Sequence, residues 1–228
     1  MVEERNQTGS CLHVFDMDGT LLRSTATIEL ARTMGQLHAG EHIERLWFDG
    51  AISDDDFWSR LLKICENATT ADLQEAFDNA PWMDGIAQTF ADINARGEEV
   101  IVISQSPAFF VRGLELWGAS ESYGSKVEVG EPLETAATLL PMAKVRITGL
   151  SLAARNLSPK MCVVYGDSSS DLELFRTYSN SVAVNASPAL ESLSAMKYVG
   201  TDIREAYALG RQLLARTARK QFTQGGAH

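Results

Sequence analysis

Cysteine is scarce in this chain. Its three thiols, Cys11, Cys65 and Cys162, are too few and too widely spaced for a disulfide framework, and none falls in a C-x-x-C pair or metal-finger spacing. Each sits in or beside an apolar run, so buried reduced thiols are expected. Long apolar stretches are missing too. None approaches the ~20 residues needed to span a bilayer, and the opening MVEERNQTGS is polar and mixed in charge, unlike a signal peptide. A cytoplasmic location is the default expectation. Positive charge is in deficit: 20 Lys and Arg against 30 Asp and Glu leave a net charge of -10. That argues against binding nucleic acid or an anionic membrane through a basic face, because phosphate backbones must be neutralised by Lys and Arg. A small phosphorylated molecule is not excluded, since one bound cation and a few local charges can hold one phosphate.

What is present is an ordinary globular composition, 45% hydrophobic and 22% charged, over 228 residues, enough for one substantial domain or a core with a small insert. The strong apolar runs are short and end in polar residues. Leu12–Phe15 stops at Asp16, Val100–Ile103 at Ser104, Met161–Tyr165 at Gly166-Asp167, and Ser181–Val184 at Asn185. Such runs, rich in Val and Ile and without alternation, read as strands buried on both faces of a parallel sheet. Helical patterns lie between them: Gly85–Arg96, Phe109–Trp117 and Lys144–Asn156. Strand alternating with helix predicts right-handed βαβ units and an α/β, doubly wound three-layer sandwich with a mainly parallel sheet.

The interval between Leu22 and Pro81 breaks the rhythm. It has no strand-like run and three helical stretches, Ser24–His38, Asp54–Cys65 and Thr70–Ala80. In the second, Phe57, Leu61 and Cys65 recur every four residues beside Trp58 and Leu62, which gives one apolar face. Residues 10–23 and 81–228 are read as the core, and 24–80 as a small helical insert over the sheet's carboxyl edge; packing on the sheet flank is the alternative. The terminal Gln221–His228 is expected to fray.

Ligands of open α/β sheets bind outside the carboxyl ends of the strands, so the residues ending these strands are the place to look. Asp16 and Asp18 in DMDGT point the same way on an extended segment, and Gly19 lets the chain turn. One carboxylate can act as a nucleophile and the other can move a proton. Alone, the same letters also fit a hairpin or a calcium-loop fragment. Ser104 precedes the helix start Gln105-Ser106-Pro107 and is a ready anion site, or merely a cap. Lys144 follows an uncharged stretch, Ala136–Ala143, in a chain with few lysines. Asp167 and Asp171 flank a Ser-rich loop, GDSSSD; hard oxygen donors of this kind suit Mg²⁺.

Taken in order and spacing, DMDGT, Ser104, Lys144 and GDSSSD resemble the four motifs of the haloacid-dehalogenase (HAD) superfamily across Leu12 to Asp202. The helical insert after the first motif resembles the type I cap subgroup, whose best-known members are the phosphoserine phosphatases. The resemblance implies a HAD-like, Rossmann-type core with a helical cap and a Mg²⁺-dependent phosphatase. Asp16 would attack phosphorus and Asp18 would protonate the leaving oxygen, then activate water. Asp16, the Asp18 backbone carbonyl and Asp167 would hold the metal, supported by Asp171, while Ser104 and Lys144 would hold the phosphoryl oxygens. Gln105, Ser170, Thr25 and Arg60 are added as substrate-binding candidates, with Arg23 and Trp47 as further specificity residues.

Asp18 argues against a dehalogenase, since halide leaves without a proton. Phosphonatases recruit a cap lysine, and Lys63 is the lone lysine of the insert. Where phosphoserine phosphatases carry a cap glutamate this chain has Thr25, and their cap arginine aligns with Leu61, one residue from Arg60. Ser168 and Ser170 stand where the usual fourth motif has Gly and Asn, and Gln105 and Ser106 replace glycines after the second. The expected partner is therefore a small-molecule phosphate ester other than phosphoserine, with a homodimer left open. A phosphotransferase or mutase of the same superfamily, and a catalytically silent scaffold, are the alternatives.

Overall fold

A computed structural model describes residues 10–131 and 138–225. Six strands form one sheet in the order β3-β2-β1-β4-β5-β6: β1 (Leu12–Phe15), β2 (Glu99–Pro107), β3 (Glu121–Ser125), β4 (Cys162–Gly166), β5 (Ser181–Val184) and β6 (Met196–Tyr198). Every pairing is parallel, with Leu12 opposite Glu99 on one side and Cys162 on the other. The four strands expected from the apolar runs are the central ones. β3 and β6 were not expected, because ESYGS and MKY lie at the sheet's edges, are only partly buried, and carry no Val or Ile.

The pleat sends alternate residues to opposite faces. Phe15, Val100, Val102, Val163, Tyr165, Val182 and Val184 join one core, with α5 (Ile86–Ala95) and α10 (Ile203–Gly225) packed on it. Leu12, Val14, Ile101, Ile103, Cys162, Val164 and Ala183 join the other, covered by α7 (Pro141–Ala154), α8 (Leu172–Thr177) and α9 (Pro188–Glu191). This is the three-layer, doubly wound arrangement expected. α6 (Ala108–Val111) continues into a 3₁₀ turn, Arg112–Trp117. α10 runs through Gly225, and residues 226–228 of the end expected to fray lie outside the described residues. Cys11, Cys65 and Cys162 are all buried, and no disulfide joins them.

Between β1 and α5 lie four helices, not three: α1 (Ala26–Thr33), α2 (Leu37–Phe48), α3 (Asp54–Ile64) and α4 (Thr70–Asp78). The expected single helix Ser24–His38 ends at Thr33, because Gly35 adopts φ 68°. Gly35 N–H bonds Arg32 O at 3.0 Å and Gln36 N–H bonds Ala31 O at 2.7 Å. That paired pattern satisfies the last carbonyls and stops a helix. The chain leaves and re-enters the core side by side: Arg23 N–H donates to Pro81 O and Met83 N–H to Leu21 O, with Leu22 bridging Trp82 antiparallel. No helix among the described residues is long and apolar enough to cross a membrane.

Candidate active site

Strand order reverses beside β1: β2 and β3 lie to one side of it, β4 to β6 to the other. The crevice at such a switch point is where open sheets bind ligands. Asp16 closes β1 there, its N–H held by Tyr165 O at 2.9 Å. Lys144, in the first turns of α7 and 1% exposed, reaches in from the other layer. Its ammonium donates to Asp16 Oδ1 at 2.7 Å, Asp171 Oδ1 at 2.6 Å and Ser170 Oγ at 3.0 Å. Burial alone would pull this lysine towards neutrality, but the two carboxylates outweigh it and hold its pKa above the ordinary value.

Asp167 and Asp171 come from the loop after β4. Asp171 is fully buried and is occupied on both oxygens: besides Lys144, Oδ2 accepts from the backbone N–H of Asp167 at 3.2 Å and of Ser168 at 3.4 Å. Asp167 differs. Its Oδ1 is buried and has no hydrogen-bond partner. Burial first, then the charges of Asp16 and Asp171, push its pKa up to about 8. Asp16, Asp167 and Asp171 each present an oxygen within 4.8 Å of the others. Three crowded carboxylates, one with an orphaned oxygen, are a hard-oxygen donor set short of positive charge, and a divalent cation such as Mg²⁺ fits that set. Gly19, at φ 76°, is required by the same crowding: a Cβ there would lie 2.1 Å from Asp167 Oδ2.

The side chain of Asp18 is turned elsewhere. Its Oδ1 accepts Ala26 N–H at 3.0 Å, at the start of α1, and Oδ2 accepts the Ser106 hydroxyl. Burial pushes its pKa up to about 7, against the pull of those two bonds, with Glu44 and Asp167 adding to the rise. Burial likewise raises Asp16 to about 7, opposed by Lys144. Ser104, at 1% exposure, accepts Ser106 N–H at 3.1 Å through its own hydroxyl. Gln105 is pinned by donation to Leu139 O at 3.1 Å.

A cleft of about 110 Å³ opens over these groups, several times the room one water needs. Its floor is Asp16, Asp18, Ser104–Ser106 and Ser168–Ser170. Its roof is the helical interval, through Thr25 and Thr27 of the α1 end, Glu44, Trp47 and Phe48 of α2, and Asp54, Phe57 and Trp58 of α3, with Thr138 at the side. Residues of the helical interval thus line the cleft together with residues from the carboxyl ends of the central strands. Thr25 caps α1 by accepting Ile28 N–H and donates its hydroxyl to Glu44. Trp58 donates to Thr138 Oγ1 at 2.9 Å, tying the insert to the segment before α7.

Two expected residues do not join this set. Arg60 is exposed on the outer face of α3, in a shallow groove with His42 and Lys63. One residue turns a helix by about 100°, so Leu61, 2% exposed, faces in and Arg60 faces out. Arg23 is exposed at the crossing to Pro81 and lines no part of the cleft. Two residues were overlooked. Ser106 sits two positions beyond Ser104 on an extended strand, a spacing that puts both hydroxyls on one face. Glu44 lies in α2, beyond the Ser24–His38 stretch expected to be helical, so no motif drew attention to it.

The family model for haloacid dehalogenase-like hydrolase matches residues 13–176, so the chain belongs to that family. This is the family that the motif order resembles. A phosphoserine phosphatase of Idiomarina loihiensis is 24% identical over 190 residues, covering 81% of this chain and 86% of that protein. A phosphoserine phosphatase of Archaeoglobus fulgidus is 22% identical over 191 residues, covering 80% of this chain and 55% of that protein. A solved substrate-bound phosphoserine phosphatase complex matches the fold with a TM-score of 0.71 at 18% identity, over 89% of this chain and 99% of that one.

Proposed function

We propose that the chain is a Mg²⁺-dependent phosphatase that hydrolyses a small phosphate monoester through an aspartyl-phosphate on Asp16. The observation carrying this reading is the arrangement at the switch point: two carboxylates just beyond the end of β1, one held by Lys144, the other bonded away from it. Asp16 Oδ1 is fixed by Lys144, which leaves the second oxygen of the carboxylate for in-line attack on phosphorus. Asp18, raised to about 7 by burial, can carry a proton to the leaving oxygen near neutral pH and then take one from water. Ala26 N–H and the Ser106 hydroxyl hold it in position for both steps.

Ser104 and Lys144 would hold phosphoryl oxygens, with Ser170 and Gln105 shaping the same end of the cleft. Asp16, Asp167 and the Asp18 backbone carbonyl would hold Mg²⁺, and Asp171 would support them from beside, since both its oxygens are already bonded. When bound, the cation would offset the negative charge of the phosphoryl group and the carboxylates. Residues 24–80 would act as a cap that excludes water from the cleft, Thr25 and Trp47 facing the leaving group.

The test is phosphate release from p-nitrophenyl phosphate and a panel of small esters, with Mg²⁺ and with EDTA, for wild type and Asp16→Asn. Mg²⁺-dependent release lost in the variant supports the reading. Release that survives in clean, folded Asp16→Asn removes the nucleophile from it.

A further inference from the structure

The roof of the cleft is built for the opposite charge from its floor. Among the described residues that line it, none is Lys, Arg or His. Lys144 cannot serve the roof, being buried and held by Asp16, Asp171 and Ser170. The roof carries Glu44, which is not exposed and whose bond from Thr25 comes from a neutral hydroxyl that leaves its charge uncompensated. Beside it Asp54 accepts the indole N–H of Trp47 at 2.8 Å, which pins that ring. Trp47 stands 5.3 Å from Phe57, and Phe57 stands 4.8 Å from Trp58, ring centre to ring centre, so the carboxylates adjoin a continuous aromatic wall.

We propose that the cleft takes the phosphate ester of a small amino alcohol with a cationic nitrogen, the ammonium seated between Glu44 and Trp47. This rests on the phosphatase reading above and names its substrate class. An anionic leaving group, bearing a carboxylate or a second phosphate, would meet Glu44 and Asp54 with no cation to receive it. A neutral polyol would leave Glu44 shielded from water without a charge partner. A cation satisfies the carboxylate and gains the attraction of the aromatic faces, most of all when its nitrogen is methylated and weakly hydrated. The volume of about 110 Å³ suits a leaving group of few atoms.

The experiment compares phosphocholine with its neutral isostere 3,3-dimethylbutyl phosphate, alongside phosphoethanolamine and phosphoserine. kcat/KM is measured for wild type, Glu44→Gln and Trp47→Leu, and dissociation constants for the Asp16→Asn protein by titration calorimetry. Wild type is expected to favour phosphocholine over the isostere at least tenfold, and Glu44→Gln to shrink that ratio several-fold. Because Glu44 also acts on Asp18, the ratio within each variant is the readout, not the absolute rate. Trp47→Leu is expected to narrow the preference for phosphocholine over phosphoethanolamine. Turnover of p-nitrophenyl phosphate with no preference for the cationic esters would overturn the inference and leave the phosphatase reading standing. If no ester turns over, the phosphatase reading falls, and the titration still decides the cleft's preference: equal binding of cation and isostere overturns it.

Discussion

β1 carries a buried ionic cluster at each end, and the two are finished differently. Near its start, His13 Nδ1 meets the Tyr165 hydroxyl and Nε2 meets Glu98, each at 3.1 Å, and Arg211 of α10 closes the set on Glu98. The ring also stacks against Tyr165 and meets Tyr207 edge-on. At its end, Asp16 and Asp171 share Lys144, and Oδ1 of the neighbouring Asp167 has no partner. A cluster whose atoms are all bonded within the fold holds the fold together. One left short of positive charge can take a cation from outside the chain. The same strand supplies both, so burial alone does not separate them; an unpartnered carboxylate oxygen crowded by two further carboxylates does.

The largest expected effect tests that distinction at the nucleophile. Asp16→Asn keeps the size of the side chain and one acceptor for Lys144, yet turnover should fall by more than about 10⁴-fold. Circular dichroism and unfolding curves should stay close to wild type, and a matching loss of both would mean that Asp16 serves the fold more than the chemistry.

Lys144→Met against Arg211→Met sharpens the comparison. Lys144 is sealed in, and removing it leaves carboxylates buried without their cation, a change that typically costs about 3–5 kcal/mol. Phosphoryl transfer should fall by roughly 10²–10³ as well. Arg211 is one-third exposed, so water replaces much of what it supplies to Glu98, and its loss should cost about 1 kcal/mol with kcat unaltered. Urea unfolding in EDTA, with kcat beside it, ranks the pair. Equal stability losses would erase the contrast between the two ends of the strand.

How far the sequence could be read follows the same division. Residues that end central strands were legible, because an unbroken apolar run stopping at Asp or Ser states both its burial and its position on the carboxyl edge. Asp16 and Ser104 carry that signature, Asp18 and Asp167 follow one or two residues beyond such a stop, and β1, β2, β4 and β5 came with them, although β2 continues through Ser104 to Pro107. Lys144 was visible by its isolation in uncharged sequence. The roof was not legible. On a helix, a one-residue offset moves a side chain to another face, and that is how Arg60 was mistaken for a cleft residue. Glu44 and Asp54 look like solvated helix charges until the four-helix arrangement folds them inward. The edge strands lack the Val and Ile that half-exposed positions do not demand, and α10 went unread although Ile203, Ala206, Tyr207, Leu213 and Leu214 repeat at helical spacing.

Ser106→Ala asks how closely the proton carrier must be held. The hydroxyl is one of two donors fixing Asp18, and Ala26 N–H remains after its removal. A loss of about tenfold in kcat with little change in KM is expected, in line with one hydrogen bond made to a charged group. A change confined to KM would assign the hydroxyl to substrate binding instead.

The smallest effect lies at the start of β1 and is read in pH. Burial pulls the His13 pKa below its ordinary 6.5, so the folded chain refuses a proton that the unfolded chain accepts. Burial pushes Glu98 up, but His13 and Arg211 outweigh it and hold its carboxyl below the ordinary 4.5. Both shifts have one sign. Stability from His13 is present above about 6.5 and is lost as pH falls below it, and Glu98 adds a further loss below about 4.5. The slope from one such group is about 1.4 kcal/mol per pH unit within its window. The carboxylates at the other end of β1 also titrate, so wild type is compared with His13→Gln, in which they are unchanged. Between pH 6.5 and 5 the wild-type unfolding free energy should fall more steeply than the variant's by about that amount. Parallel curves would mean that His13 is already protonated in the folded chain, which would make its pairing with Glu98 an ion pair and not a neutral hydrogen bond.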